Sequence, residues 1–282
     1  MLTRSCIGAV VVAAAGLAPA GCTVAAGPDP DPVPVPTTGP AAQAVTEHAV
    51  PVYYLADTPA GPRLYREFHR VTGADPATDA VHEMLADSTG QDPDYRSHWP
   101  PGTELRGPVG HADGVITVDL TGVGPGPDAD LAELTIQQLV FTVQGALQST
   151  DPVRLLVDGA PVAQLWGVAT AEPVPRGDRY ALRSLVQINE PAHGAEVGRD
   201  VVVSGEAAAY EATVIWQVLR GAEVAEVVRS GFVSTAEGQT FAPYSFTVRL
   251  DPGEYVLRVT EDDPSGGEGR PPLSDDKTIV VR

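Results

Sequence analysis

An acidic segment near the C-terminus is the first place where the sequence could do chemistry. Residues 261–276 carry six acidic side chains in sixteen residues, among them Asp262, Asp263, Asp275 and Asp276. Calcium prefers carboxylate oxygens, and extracellular calcium sites of millimolar affinity are built from loops of this kind. The spacing matches no defined calcium loop, so a solvated acidic loop is the alternative interpretation.

Other residues that could support catalysis or metal binding lack the necessary spacing. His82 and Glu83 form half of a His-Glu-x-x-His zinc motif, but position 86 is Ala86. No Gly-x-Ser-x-Gly nucleophile motif and no phosphate loop is present in the sequence. The acids Asp128 and Asp130 are better explained as charges at a helix N-terminus than as a catalytic pair. We therefore expect no enzyme activity and no cofactor.

Two polar segments hold the candidates for recognition. Tyr95, His98 and Trp99 lie in a loop rather than in a periodic segment, and loop aromatics often anchor proteins or sugars. The alternative for Trp99 is that it folds back and covers the edge of a sheet. Glu211 is a further contact candidate, or it only caps the loop before the next strand.

The N-terminal segment predicts export and attachment of a lipid. Arg4 precedes a short apolar run, which ends in small residues and Cys22. The Ala-Gly-Cys sequence that ends at Cys22 resembles a bacterial lipobox, although Pro19 stands where lipoboxes favour Leu. The resemblance implies that Cys22 is diacylated after removal of residues 1–21. An ordinary secretory peptide that is cleaved near Ala20 is the alternative.

Composition sets further limits on the mature chain. Six alternating or nearly alternating prolines predict that residues 22–47 form an extended tether. The net charge of −19 repels phosphate backbones, so we expect no nucleic-acid partner. Cys6 and Cys22 are the only cysteines, so the remaining chain has no disulfide. Lys277 is the only lysine.

Residues 48–175 predict an α+β domain, a small sheet with two helices on one face. Asp75 and Pro76 are typical of the cap and first position of a helix. A second, longer helix has apolar residues at helical spacing, namely Ile136, Val140, Val143 and Leu147. The predicted strands cover residues 50–55, 64–71 and 153–157, and a hairpin turns at Asp113-Gly114.

Short sequences in this region, taken in order, carry a family resemblance. They are VYYL, HEMLAD, PPGTEL, VITVDLTG, QQLVFTV and VRLLVDG. The ordered set resembles the GerM-type (GerMN) domain of sporulation and spore-germination proteins and of actinobacterial envelope lipoproteins. The resemblance implies a fold similar to ring-building domains of secretion-type assemblies, and a protein–protein role without known catalysis.

Residues 183–282 predict an all-β immunoglobulin-like sandwich. Seven short strands occur in about one hundred residues, separated by Gly and Pro. Trp216 stands where such a sandwich buries the tryptophan of its third strand, and Tyr255 matches a tyrosine corner. Leu257 occupies the position of the second disulfide cysteine in antibody domains.

A second resemblance covers nearly all of this region. It rests on Pro-x-x-Gly-x-x-Val from Pro191, Val-Ser-Gly-x-Ala from Val203, Tyr210-Glu211 and Trp216. These residues resemble the immunoglobulin-like domain that accompanies GerM-type domains in spore-germination proteins. The resemblance implies a fold and a family, but no ligand.

These observations together predict a non-catalytic lipoprotein on the outer face of the cytoplasmic membrane. It would act as an assembly or protein–protein interaction module, with an envelope protein or a second copy as partner. Its link to sporulation or germination comes from the resemblance alone. The alternative is a peptidoglycan- or carbohydrate-binding accessory module, or a regulator of a cell-wall hydrolase, in which aromatics such as Trp99 contact glycan.

Overall fold

The computed structural model describes residues 45–221, 226–263 and 268–282. All of these residues fall within one unit of the chain, Gln43–Arg282. The predicted signal peptide, Cys22 and nearly all of the proline-rich tether lie outside the described residues. None of the helices in the described residues has the length and hydropathy of a membrane-spanning segment.

The first domain contains two long helices and nine strands, several of them very short. In chain order these elements are β1 Thr46–Ala56, β2 Arg63–Gly73, α1 Pro76–Ala86, β3 Glu104–Leu105, β4 Gly110–Ala112, β5 Val115–Thr121, α2 Ala129–Leu147, β6 Val153–Val157, β7 Ala160–Pro161, β8 Gln164–Leu165 and β9 Val168–Ala169.

The strands of the first domain form a hairpin and a separate main sheet rather than one small sheet. β1 pairs only with β2, and the main sheet has the order β3-β5-β6-β7 with β4 on β5. The hairpin is separate from the main sheet because side chains of α2 bond the outer backbone groups of β1. Gln138 Nε2 donates to Tyr53 O at 2.8 Å, and Tyr53 N donates to Thr142 Oγ1 at 3.1 Å. Helix side chains thus occupy backbone groups that another strand would have bonded.

The predicted helix signals of this domain are confirmed. Asp75 caps α1, since its side chain accepts a hydrogen bond from Ala77 N, and Pro76 is the first helical residue. The apolar face of α2 packs into the main core through Ile136, Val140 and Val143. The α+β prediction therefore describes the element types correctly.

The second domain is a sandwich of two sheets, as predicted. After the short helix α3 (Arg179–Leu182), its strands are β10 Val186–Glu190, β11 Ala195–Val197, β12 Asp200–Ala207, β13 Thr213–Arg220, β14 Glu226–Ser234, β15 Ala242–Arg249, β16 Gly253–Glu261 and β17 Ser274–Val281. One sheet has the order β10-β12-β15, and the other has the order β11-β17-β16-β13-β14. All seven predicted strands are present, and β11 adds a short parallel pairing to β17.

The two structural residues of the sandwich behave differently. Tyr255 is buried, and its hydroxyl donates to Asp251 O at 3.0 Å, which confirms the tyrosine corner. Trp216 faces the core but is only partly buried, which corrects the expectation of a fully buried tryptophan. Its ring stacks on Phe246 at 4.7 Å and lies over Gly231, where a Cβ atom would come within 2.5 Å of the indole. Trp216 therefore covers the margin of the core instead of filling its centre.

Candidate functional site

Two of the predicted recognition residues are in the interior of the protein. Tyr95 is 2% exposed and Trp99 is 5% exposed. The Trp99 ring packs edge-on against Trp166, with the ring centroids 5.0 Å apart. Their loop is drawn onto the end of β1 by two backbone hydrogen bonds between Leu55 and Arg96, each of 2.7 Å. Neither ring is therefore available to contact a ligand at the surface, and Trp99 follows the alternative in which it folds back and covers the sheet.

The other two recognition candidates remain accessible. His98 is half-buried in a shallow cleft of about 160 Å³ that Asp57 and Asp94 also line. Burial lowers the pKa of His98, and the nearby Asp57 carboxylate opposes this shift. Glu211 is exposed in the 3-10 turn before β13, and its φ of 50° is in the left-handed region. The structure does not bring His98 and Glu211 into one site.

The four aspartates proposed for calcium do not converge in the structure. Asp275 and Asp276 are neighbours on β17 and therefore point to opposite faces. Asp276 is held by Arg258 through both of its oxygens, at 2.6–3.1 Å, while Asp275 is buried. Asp262 and Asp263 lie beyond the end of β16. No group of three potential metal ligands was found among the described residues.

The most unusual chemistry lies where the two domains meet, in a cluster that we call the domain junction: Asp92, Tyr95, Ile188, Asp275 and Lys277. Lys277 is only 2% exposed, and its Nζ lies 2.7 Å from Asp92 Oδ2. The same nitrogen lies 3.4 Å from Asp275 Oδ1 and 3.9 Å from the centroid of the Tyr95 ring. Charged groups this deeply buried require partners, and here both domains supply them.

Asp275 connects three parts of the structure at the junction. Its Oδ1 accepts a hydrogen bond from the Tyr95 hydroxyl at 2.7 Å, and its Oδ2 accepts one from Ile188 N at 2.6 Å. It thereby joins β17, the outer edge of β10 and the loop of the first domain. Burial raises the pKa of the Asp275 carboxyl, although Lys277 and the two hydrogen bonds act in the opposite direction.

A chain of acidic and histidine side chains extends from the junction into the first domain. Glu67 accepts hydrogen bonds from the backbone N–H groups of Gln91 and Asp92, at 2.9 and 2.8 Å. His69 lies between Glu67 and Glu83, with ring nitrogens 3.1 and 3.0 Å from their carboxylates. Burial opposes the charged imidazolium, but the two carboxylates outweigh it and raise the pKa of His69. The network fixes the backbone on which Asp92 is held.

A second ionic contact between the domains lies beside the junction. Glu206 on β12 accepts from Arg183 at 2.9 Å and forms an ion pair with Arg66 of β2 at 3.1 Å. Arg183 is 5% exposed, and its guanidinium stacks on Phe241 at 4.1 Å from the ring centroid. One carboxylate thus links the first domain, the connecting segment and the sandwich.

The β14 edge of the sandwich exposes apolar side chains. Phe232 on β14 is 74% exposed, and its cross-strand partner Ile215 is 37% exposed. Val227, also on β14, is 46% exposed. Within the described residues β14 pairs only with β13, so its outer edge is unpaired. Exposed apolar side chains beside a free strand edge are typical of a protein-binding surface.

Sequence reasoning missed Lys277 as a site residue. The available signal was its uniqueness, because the sole lysine of the chain begins the last predicted strand, whose following residues are mostly apolar. Ser274 and Lys277 also have Ser-x-x-Lys spacing, but Ser274 is exposed and Lys277 is buried. Residues three apart on a strand face opposite sides, so the two do not form a nucleophile–base pair.

Comparisons with known proteins support the two-domain description. Residues 51–163 match the family model described as "Germane: Sporulation and spore germination". Residues 185–268 match the model described as "Immunoglobulin-like domain of bacterial spore germination", Gmad2. A comparison with curated proteins gives no match.

Among solved structures, the chain is similar to two structures of the sporulation protein GerM from Bacillus subtilis. The tandem GerMN domains share 18% identity over 50% of this chain, with a TM-score of 0.36, and the chain spans 48% of their length. The first GerMN domain alone shares 16% identity over 48% of this chain and 99% of its own length, with a TM-score of 0.37.

Proposed function

Because the chain carries a GerMN domain followed by a Gmad2 domain, two families of sporulation and spore germination, we propose that it is a non-catalytic assembly module of the cell envelope. In this proposal Cys22 carries a lipid on the outer face of the cytoplasmic membrane, and the proline-rich segment separates the domains from that surface. The two folded domains then present a binding surface to a protein partner.

The observation that carries this proposal is the exposed apolar edge at β14. Phe232 is 74% exposed in a chain whose net charge is −19, so its exposure is not explained by a shortage of polar residues for the surface. The adjacent strand edge offers unpaired backbone N–H and C=O groups to a strand of the partner. Side-chain contacts with Phe232 and Ile215 would then give this pairing its specificity.

A matched pair of variants tests the binding surface. We expect Phe232→Ser to abolish crosslinking of the protein to its partner in intact cells, because it removes the largest exposed apolar side chain. Val202→Ser is the control, since Val202 is 58% exposed but lies on the other sheet. Retention of the crosslink in Phe232→Ser would contradict the proposal. Sedimentation of the wild-type protein with purified cell wall, unchanged in Phe232→Ser, would favour the glycan-binding alternative.

The lipid anchor is tested separately from the binding surface. We expect Cys22→Ser to move the protein from the membrane fraction to the medium, because the thiol that would carry the acyl chains is removed. The lipid would also appear as a mass increase on the N-terminal peptide of the wild-type protein. An unmodified Cys22 in membrane-associated protein would contradict the lipid anchor. It would not affect the proposal that β14 binds a partner.

A further inference from the structure

The position of Lys277 is unusual for a lysine. The chain has 18 basic residues, and the only lysine among them is 2% exposed. Arginine is the cation that proteins usually place in buried ion pairs, because its planar group bonds a carboxylate through two N–H groups. Lysine instead brings a single primary amine, which is a nucleophile when it is not protonated. The residue type at this position therefore permits a reaction that an arginine would not.

The surroundings of Lys277 hold its amine in contact with a carboxylate. Its Nζ lies 2.7 Å from Asp92 Oδ2, and Asp92 is itself 2% exposed. The face of the Tyr95 ring closes one side, and Asp275 Oδ1 lies 3.4 Å away on another. Two groups held in contact by a folded protein react as if at very high concentration.

We propose that Lys277 and Asp92 are joined by an isopeptide bond that the folded protein forms by itself. A proton first passes from the ammonium group to the Asp92 carboxylate, which leaves a neutral amine and a neutral acid. The Nζ lone pair attacks Asp92 Cγ, and the bond from Cγ to the hydroxyl oxygen breaks. One amide and one water molecule are formed from one amine and one carboxylic acid, so no oxidant or reductant is needed.

Asp275 carries the protons in this reaction. In its acid form it donates a proton to the departing hydroxyl of Asp92, and it takes one back from the nitrogen of Lys277. Burial raises the pKa of Asp275, so its acid form persists to a higher pH than in an exposed aspartate. The hydrogen bonds from Tyr95 and Ile188 hold both of its oxygens in place. Asp275 Oδ1 lies 3.4 Å from Lys277 Nζ, against 2.7 Å for Asp92 Oδ2, so Asp275 is placed to exchange a proton with that nitrogen.

The bond would join the two domains covalently across 185 positions of the sequence. Both cysteines lie in the first 22 residues, so the domains have no disulfide to perform this task. A covalent link between distant positions restricts the unfolded chain in the same way that a disulfide does. This inference does not rest on the proposed function or on the lipid anchor.

Peptide mapping of the purified full-length protein tests the bond directly. Trypsin releases residues 71–96, which contain Asp92, and residues 259–277, which end at Lys277. Pro271 follows Arg270 and blocks cleavage there. We expect instead a joined product of residues 71–96 and 259–282 that is lighter by one water molecule, because an amide at Lys277 prevents cleavage. Recovery of the free peptide 259–277 as the main product from folded protein would overturn the proposal.

Two variants separate the bond from the ion pair. Lys277→Arg keeps the positive charge but removes the reactive amine, and we expect no joined peptide. Asp275→Asn keeps the size of the side chain but cannot carry a proton, and we expect the joined peptide to form about a hundredfold more slowly. Tryptophan fluorescence checks that each variant is folded. Equal rates in Asp275→Asn and in the wild type would overturn the role of Asp275. The existence of the bond is tested separately, by the peptide map.

Discussion

Two strands of the larger sheet of the second domain, β17 and β14, differ in which side chains they expose. On β17, the acid Asp275 and the only lysine are almost completely buried. On β14, which is three strands away from β17 in the same sheet, Phe232 is 74% exposed. Polarity alone would have placed these residues the other way round. What decides burial here is whether the rest of the chain offers a partner.

This contrast teaches how the two surfaces differ in purpose. The first domain supplies Asp92 and Tyr95 to the β17 side, so the charges there have partners and can leave water. Nothing in the described residues pairs with the outer edge of β14. The junction is therefore an internal contact, and the β14 edge is available to another molecule. The following substitutions test this difference in decreasing order of expected effect.

The largest loss is expected from Lys277→Ala. This change leaves the carboxyls of Asp92 and Asp275 buried without their cation, which typically costs about 3–5 kcal/mol of unfolding free energy. In molecules in which the proposed amide bond has formed, the variant loses that bond instead of the ion pair. Denaturant unfolding followed by tryptophan fluorescence measures the effect. A loss below about 1 kcal/mol would mean that water reaches the junction and that the contrast with β14 is false.

Trp99→Ala is expected to destabilise the protein by about 3 kcal/mol, because it empties a large volume in the first core. The same unfolding experiment measures this change. The change tests whether Trp99 serves the core or a binding surface. If Trp99→Ala left stability unchanged but reduced binding to cell wall, the surface interpretation of this loop would return.

His69→Gln is expected to cost about 1.5 kcal/mol at low pH, since the imidazolium holds the buried carboxylate of Glu67 and the partly exposed carboxylate of Glu83. The pKa of His69 is raised in the folded state, so its contribution is complete below the ordinary histidine pKa of about 6.5. It is lost as the pH rises through the raised folded-state value. Unfolding free energies of both proteins across this range should therefore converge at high pH. A constant difference would show that the effect is steric.

Phe232→Ser is expected to change the unfolding free energy by less than about 0.5 kcal/mol, because the side chain is already in water. The measurement is the same denaturant titration, with Val202→Ser as the matched control. Loss of partner binding without loss of stability would sharpen the contrast with the junction. A destabilisation similar to that of Lys277→Ala would break it.

Local signals in the sequence predicted much of the fold. Asp75-Pro76 marks the start of α1, and Asp113-Gly114 forms a turn in which both residues have a positive φ. The seven strands of the sandwich follow from alternation and from Gly and Pro between them. Each of these features depends on residues within a few positions of one another, which is why a single sequence reveals them.

Long-range contacts explain what the sequence did not predict. The separation of the β1–β2 hairpin depends on Gln138 and Thr142, which are 85 and 89 positions from their partner Tyr53. The burial of Lys277 depends on Asp92, which belongs to the other domain. Likewise, the polar loop around Trp99 gives no sign that its aromatic ring meets Trp166. Composition describes a segment, whereas burial depends on what folds against it.

The side chains that α2 lays along β1 have a consequence for how the protein resists aggregation. Both main-chain groups of Tyr53 on that margin are already engaged by Gln138 and Thr142, and those of Leu55 are engaged by Arg96. A foreign strand arriving there would have to displace an amide, a hydroxyl and a loop before it could bond. This part of the β1 edge is thus protected against the addition of a foreign strand, even though much of the strand is apolar.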